Sequence, residues 1–191
     1  MDKKIKDLLS SWQKHNIEGF YCPERQEALT QIFKLIPVSA SIGVSGSVTL
    51  EELKIAELLE QRGNTVFNQA KKGLSKEESM ECRRKGAQAD FYLTSANALA
   101  LSGEMVFLSA WGQRIAGIAN AKNVLVICGT NKISDDLQSA IKRAREYVTP
   151  LNYKRLNWDP ARQMECQTLV IKGEAAPGRL KVILINEKLG F

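Results

Sequence analysis

The sequence predicts an α/β protein built on a mostly parallel sheet and closed by a C-terminal antiparallel hairpin. Three observations carry this reading. Short apolar segments alternate with stretches of helical periodicity along most of the chain. "NVLVICG" at 123–129 is the near-continuous apolar run of a strand buried on both faces. The last two strand patterns, "QTLVIK" and "RLKVILIN", are joined by the turn-forming "GEAAPG", which suggests a hairpin rather than another crossover.

Taken in order, Ile5, Leu8, Leu9 and Trp12 lie at helical spacing in the first helix, followed by the strand "IEGFYC". The next helix, 24–36, carries Leu29, Ile32, Phe33 and Ile36 on one stripe and stops at Pro37. "ASIGV" is then a strand, 49–62 a helix ending before Gly63, and "NTVFN" a strand. Thr49 with Glu52, and Ser75 with Glu78, have capping-box spacing and mark two helix starts. "ADFYLTS" and "EMVFLS" are further strands, 111–120 a helix, and Ser134 opens a helix with Leu137, Ala140, Ile141, Ala144 and Val148 on one face. One domain over 1–191, with an N-terminal helical segment at about 1–36, accounts for the length.

Composition narrows the function classes. With 44% hydrophobic and 25% charged residues the chain is ordinary globular protein, and no apolar run suggests a membrane span or a signal peptide. Cys22, Cys82, Cys128 and Cys166 are widely separated, which argues against a zinc site or a disulfide framework and for a reducing, cytoplasmic setting. The net charge of +6 raises the question of nucleic acid. Its clusters, Lys71-Lys72, Arg83-Arg84-Lys85, Lys142-Arg143-Arg145 and Lys154-Arg155, are short, scattered and interleaved with acids, so they read as solvated faces.

In parallel sheets ligands bind beyond the carboxyl ends of the strands. "GVSGSVT" stands at such an end: Gly43 and Gly46 permit close backbone approach, Ser45, Ser47 and Thr49 can donate hydrogen bonds, and the helix that follows offers free amides to an anion. It is neither a P-loop nor a dinucleotide fingerprint. Thr94, Ser95, Asn97 and Gly103 belong to a second polar block whose next helix begins with Gln113 and Arg114, and Asn131 with Lys132 follow the most apolar strand. The bland alternatives are a cap for Thr49, a turn for Asn97 and solvent for Lys132. His15 is the only histidine and lies among surface residues, which leaves triad chemistry without a base. Glu51, Glu52, Asp90 and Glu187 are the carboxylates to watch, with Glu51 and Glu187 the candidates for acid–base work.

The blocks "GVSGSVTLEEL", "ADFYLTSANALALSGEMVF", "WGQRIAG", "GTNKISDDLQSAIKRAREYVTPLNYKRL" and "VILINEKLGF" together resemble the LUD-domain (lactate utilisation) family in order and spacing. The resemblance implies a three-layer α/β/α, Rossmann-like fold shared with phosphosugar isomerases and CoA transferases. It also implies bacterial lactate oxidation beside iron–sulfur partner subunits. The glycine loop resembles the phosphate loop of ribose-5-phosphate isomerase. The block from Ala96 to Gly103 resembles a segment that carries a catalytic aspartate in methylthioribose-phosphate isomerase-like and initiation factor 2B-like proteins, with Asn97 at the matching position. An amide cannot act there as acid or base.

The chain departs from many family members in having Phe107, Ser109 and Gln113 where they carry asparagine or aspartate, and only Cys166 where they carry a cysteine-rich insertion. One thiolate does not hold a cluster, so no cofactor and no metal of its own is expected. Three readings follow: binding of a small anionic metabolite (phosphate ester, nucleotide or CoA derivative), a noncatalytic accessory subunit of a lactate-oxidising complex, and an isomerase-like enzyme. Neither nucleic acid nor membrane is an expected partner, and a homodimer is the expected assembly.

Overall fold

The computed structural model describes residues 1–159 and 167–191. Its centre is a six-stranded sheet, all parallel, formed by β1 (Glu18–Cys22), β2 (Ser41–Val44), β3 (Thr65–Asn68), β4 (Phe91–Thr94), β7 (Asn123–Gly129) and β10 (Leu180–Ile185). The spatial order is β1-β10-β7-β4-β2-β3. A smaller mixed sheet has the order β8-β5-β6-β9, from β5 (Ala98–Ala100), β6 (Met105–Ser109), β8 (Ile133–Ser134) and β9 (Gln167–Ile171).

Alternation along the central strands builds two cores. Phe91 and Leu93, Leu125 and Ile127, Ile183 and Ile185 face one side, under the helices α2 (Arg25–Leu35), α3 (Val48–Glu52) and α4 (Ile55–Gln61). Tyr92, Val124, Val126, Val182 and Leu184 face the other, where they meet α1 (Lys3–Lys14), α6 (Gln113–Asn120) and one face of the small sheet through Leu99, Met105 and Phe107. The outer face of that small sheet, Ala98, Ala100 and Val106, is covered by α7 (Leu137–Lys142). The three-layer arrangement with a mostly parallel sheet is therefore present.

The C-terminal hairpin is not. β9 runs antiparallel to β6 in the small sheet, while β10 inserts between β1 and β7 in the central one. The link expected to close a hairpin instead joins two sheets. β10 is apolar on both faces, as an interior parallel strand must be, and β9 is half exposed, as an edge strand can be.

Other boundaries moved for local reasons. The helix expected over 49–62 is split at Lys54, which adopts a left-handed conformation (φ 53°). Thr49 is not its cap: Ser47 precedes the first turn, and the Thr49 hydroxyl points to the Leu189 carbonyl. Ser75 does form the full capping box with Glu78 at the start of α5 (Lys76–Ala87). Ser134 belongs to β8, and Asp136 caps α7 instead. From α7 the chain continues through a π-helical segment, Arg143–Val148, into α8 (Thr149–Leu156). The wide turn coincides with Pro150, which has no N–H to donate, and the Thr149 hydroxyl caps the Ala144 carbonyl at 3.0 Å.

Candidate functional site

After β3 the chain returns to the other side of β2 to form β4. That reversal opens a crevice between the carboxyl ends of β2 and β4, where open α/β sheets bind ligands. A cavity of about 950 Å³ occupies this position. Its floor is made by the loops after β2, β4 and β7, and one wall by α8 and the C-terminal residue Phe191.

The loops converge through two arginines. Arg114 donates from Nη1 to the Asn97 side-chain oxygen (2.9 Å) and the Leu108 carbonyl (3.1 Å), and from Nη2 to the Gly46 carbonyl (3.0 Å). Arg143, on the π-helical segment, donates to the Asn97 carbonyl (2.7 Å) and the Asn131 carbonyl (3.2 Å). Asn97 also accepts from the Leu108 N–H at 2.8 Å, so it is a structural junction between β5 and β6 rather than a simple turn residue. The expectation of irregular backbone there missed β5, whose three residues are too few to show a period.

Lys132 is the centre of the floor. It is only 3% exposed, and its Nζ donates to the Thr49 hydroxyl (2.8 Å), the Ser95 hydroxyl (2.8 Å) and the Ala96 carbonyl (3.1 Å). Those partners are neutral, and among the described residues no carboxylate lies within ion-pair distance. Burial pushes the amine down to about 8; Cys128 and, least of all, the more distant Glu52 carboxylate oppose the shift, while Arg114 and Arg143 add to it. From an ordinary lysine value that is a penalty on the order of 3 kcal/mol on the charged form. The ammonium uses all its hydrogens on these contacts. The hydroxyls of Thr49 and Ser95 that receive it have only long partners for their own hydrogens, at 3.3 and 3.4 Å, so they are the groups able to carry its polarisation into the cavity.

The glycine loop lies over this lysine. Ser45 is anchored by its N–H to the Leu93 carbonyl (3.0 Å) and by its hydroxyl to Thr94 (3.0 Å). Gly46 faces open space, where the nearest atom to a Cβ would be the Gln69 amide at 3.7 Å. That openness is what an approaching ligand needs. The expected helix-end anion site is weaker than its sequence suggested, because α3 has only five residues and a correspondingly small dipole.

Ser45, Gly46, Ser47, Thr49, Ser95, Asn97, Gln113, Arg114 and Lys132 thus line one cavity, and Glu51 stands on its wall near Arg155 (3.7 Å). Other candidates lie elsewhere. A Cβ on Gly43 would stand 2.1 Å from the Gly86 carbonyl, so this glycine lets α5 pack on β2. Gly103 accepts from the buried Trp12 indole and fixes α1. Thr94 is buried behind Ser45, and Asn131 ties down the C-terminal segment through Leu189 and Gly190. Glu187 is held by Arg25 at 2.6 Å, outside the cavity, and this pairing keeps its carboxyl below the usual range. Cys166 falls outside the described residues.

Sequence reasoning missed Lys71, Lys72, Arg83, Tyr153, Arg155 and Trp158, all of which line the cavity. The basic ones had been assigned to solvated faces. Lys71 and Lys72 follow β3, whose carboxyl end sequence reasoning did not reach. Arg83 is the most telling of them: its Nε is buried and has no hydrogen-bond partner among the described residues. No group of three or more histidine, cysteine, aspartate or glutamate residues suited to a metal occurs among the described residues.

The family model for the LUD domain matches residues 5–185. No curated protein matches the sequence significantly. Among solved structures the chain is similar to a DUF162 family protein from Deinococcus radiodurans, with a TM-score of 0.54 and 14% identity over 96% of this chain and 94% of that one. At that identity the likeness concerns the fold. No helix among the described residues is long and apolar enough to cross a membrane.

Proposed function

The chain belongs to the LUD-domain family, and from that premise we propose that it binds a small anionic metabolite, a phosphate ester, nucleotide or CoA derivative, in the cavity at the carboxyl edge of its central sheet. The single observation that carries this reading is Lys132: a buried cation on a cavity, held by neutral oxygens and with no carboxylate among the described residues within ion-pair distance. Burying such a charge is costly unless something pairs with it. An anion on the Ser47–Thr49–Ser95 hydroxyls supplies the missing charge.

The role is that of a metabolite-binding protein of the lactate utilisation type; the alternative is a noncatalytic accessory subunit beside iron–sulfur partners, and a homodimer is the proposed assembly in either case. Isomerase-like chemistry has less support, because Glu51 is the one candidate base on the cavity wall and it faces Arg155. Thermal melting with phosphate, phosphosugars, nucleotides, CoA esters, lactate and pyruvate tests the reading, since a ligand specific to the folded state raises the melting temperature. A phosphorylated compound should do so, and Gly46→Val should abolish the shift while the fold persists, because a side chain there fills the open approach. A shift that survives Gly46→Val, or none with any anion, rejects the glycine-loop site.

A further inference from the structure

We propose that the ligand is a nucleotide bearing a pyrophosphate, held by its phosphates between Lys132 and Arg83 and by its base against Trp158. This rests on the anion-binding reading above and narrows it to one ligand class. The first argument is size. A cavity of about 950 Å³ stands at the top of the range of about 300–1,000 Å³ typical of ligand sites, far more than one phosphate or a phosphorylated pentose fills.

The second is that two cations on this cavity lack a full set of charged or hydrogen-bonding partners. Lys132 follows β7, and Arg83 enters from α5 with its buried Nε unpartnered among the described residues. Arg114 links the two regions: it helps to push Lys132 down, and both it and Arg83 act on the buried Tyr92 hydroxyl, opposing its rise to about 12. Two such cations on one cavity fit a ligand with two linked anionic groups better than one with a single charge.

The third is the α8 wall. Tyr153 and Trp158 form a tilted ring pair with centroids 5.8 Å apart, beside Val148 and Leu156, and Trp111 stands on the rim at 66% exposure. Tyr153 is itself buried and backs Trp158, whose half-buried ring at the margin of the cavity is a stacking platform for a base, a contact worth roughly tenfold or more in affinity.

Tryptophan fluorescence gives the test directly. Of the three tryptophans, Trp12 is buried in the distal core, whereas Trp111 and Trp158 line the cavity. The full chain is titrated with inorganic pyrophosphate, ribose 5-phosphate and the adenosine and uridine diphosphates, with calorimetry to give affinities independently of quenching. The expected result is that a nucleoside diphosphate quenches and binds about tenfold or more tightly than pyrophosphate. Trp158→Leu should erase that advantage and leave pyrophosphate affinity unchanged. If pyrophosphate binds and neither nucleotide binds more tightly, the nucleotide inference is overturned while the anion site stands. If no phosphate compound binds, both fall. A nucleotide advantage that survives Trp158→Leu overturns the placement of the base.

Discussion

The two edges of the central sheet treat charge in opposite ways. At the amino edge, Asp90 accepts from the Ser41 N–H (3.1 Å) and hydroxyl (2.8 Å) and pairs with Lys122 at 2.9 Å. Beside it Arg179 bridges Glu174 (2.8 Å) and caps the carbonyls of Ile118 (2.8 Å) and Ala121 (3.1 Å). Each charge there is answered in place, and the cluster joins strand starts to helix ends. At the carboxyl edge, Lys132 meets only neutral oxygens and Arg83 keeps an orphaned Nε among the described residues. One cluster is closed by its own side chains, and the other leaves Lys132 and the Arg83 Nε without such an answer, which is where the proposed anion would sit.

The comparison is broken or sharpened most strongly at Lys132. Lys132→Met should weaken phosphate or pyrophosphate binding by about 30-fold or more by calorimetry, as removal of one partner of a buried charge pair does. Undiminished affinity would make the lysine a purely structural cation. Next comes Gly43→Ala, in which the new methyl meets the Gly86 carbonyl. It should destabilise the fold by about 1–3 kcal/mol in urea unfolding without altering the affinity of the folded fraction, which separates packing glycine from loop glycine.

The pH dependence of binding is a further test. The free protein's Lys132 loses its proton near pH 8, below an unfolded lysine, so between about 8 and 10.4 the unfolded chain binds more protons and this group's contribution to stability rises with pH. Anion binding has the opposite sign. It requires the charged amine, so affinity should fall as pH rises through about 8, approaching tenfold per pH unit. A flat profile from pH 7 to 9.5 would remove Lys132 from the binding event.

The smallest effect belongs to the amino edge. The Lys122 hydrogen bond, followed by those from Ser41, holds the Asp90 carboxyl far below its usual range. Its stabilisation is therefore present above about pH 4 and lost as pH falls towards the native value. Asp90→Asn should lower the melting temperature slightly at pH 7, less so near pH 3, and leave anion affinity untouched.

Much of this contrast was legible in the residues. The glycine loop and the polar ends of β4 and β7 were found because a parallel sheet places all its carboxyl ends on one edge, and that reasoning needs only strand positions. The burial of Lys132 was not legible, since a lysine after a strand is ordinarily solvated and only the fold brings Thr49 and Ser95 to its amine. Arg83 and Trp158 were hidden for a related reason: a residue of α5 and one just past the end of α8 reach the cavity by packing, which leaves no local period to read. The false hairpin shows the limit for topology, because "GEAAPG" specifies a turn and not which sheet receives the strand that follows.

The central claim is that an anion completes the carboxyl edge. Its most direct test is an anomalous difference map from crystals soaked in tungstate, a heavy mimic of phosphate. The account predicts a peak against Gly46, Ser47 and the Lys132 cluster. Peaks confined to other surfaces, with none in that cavity, would contradict it.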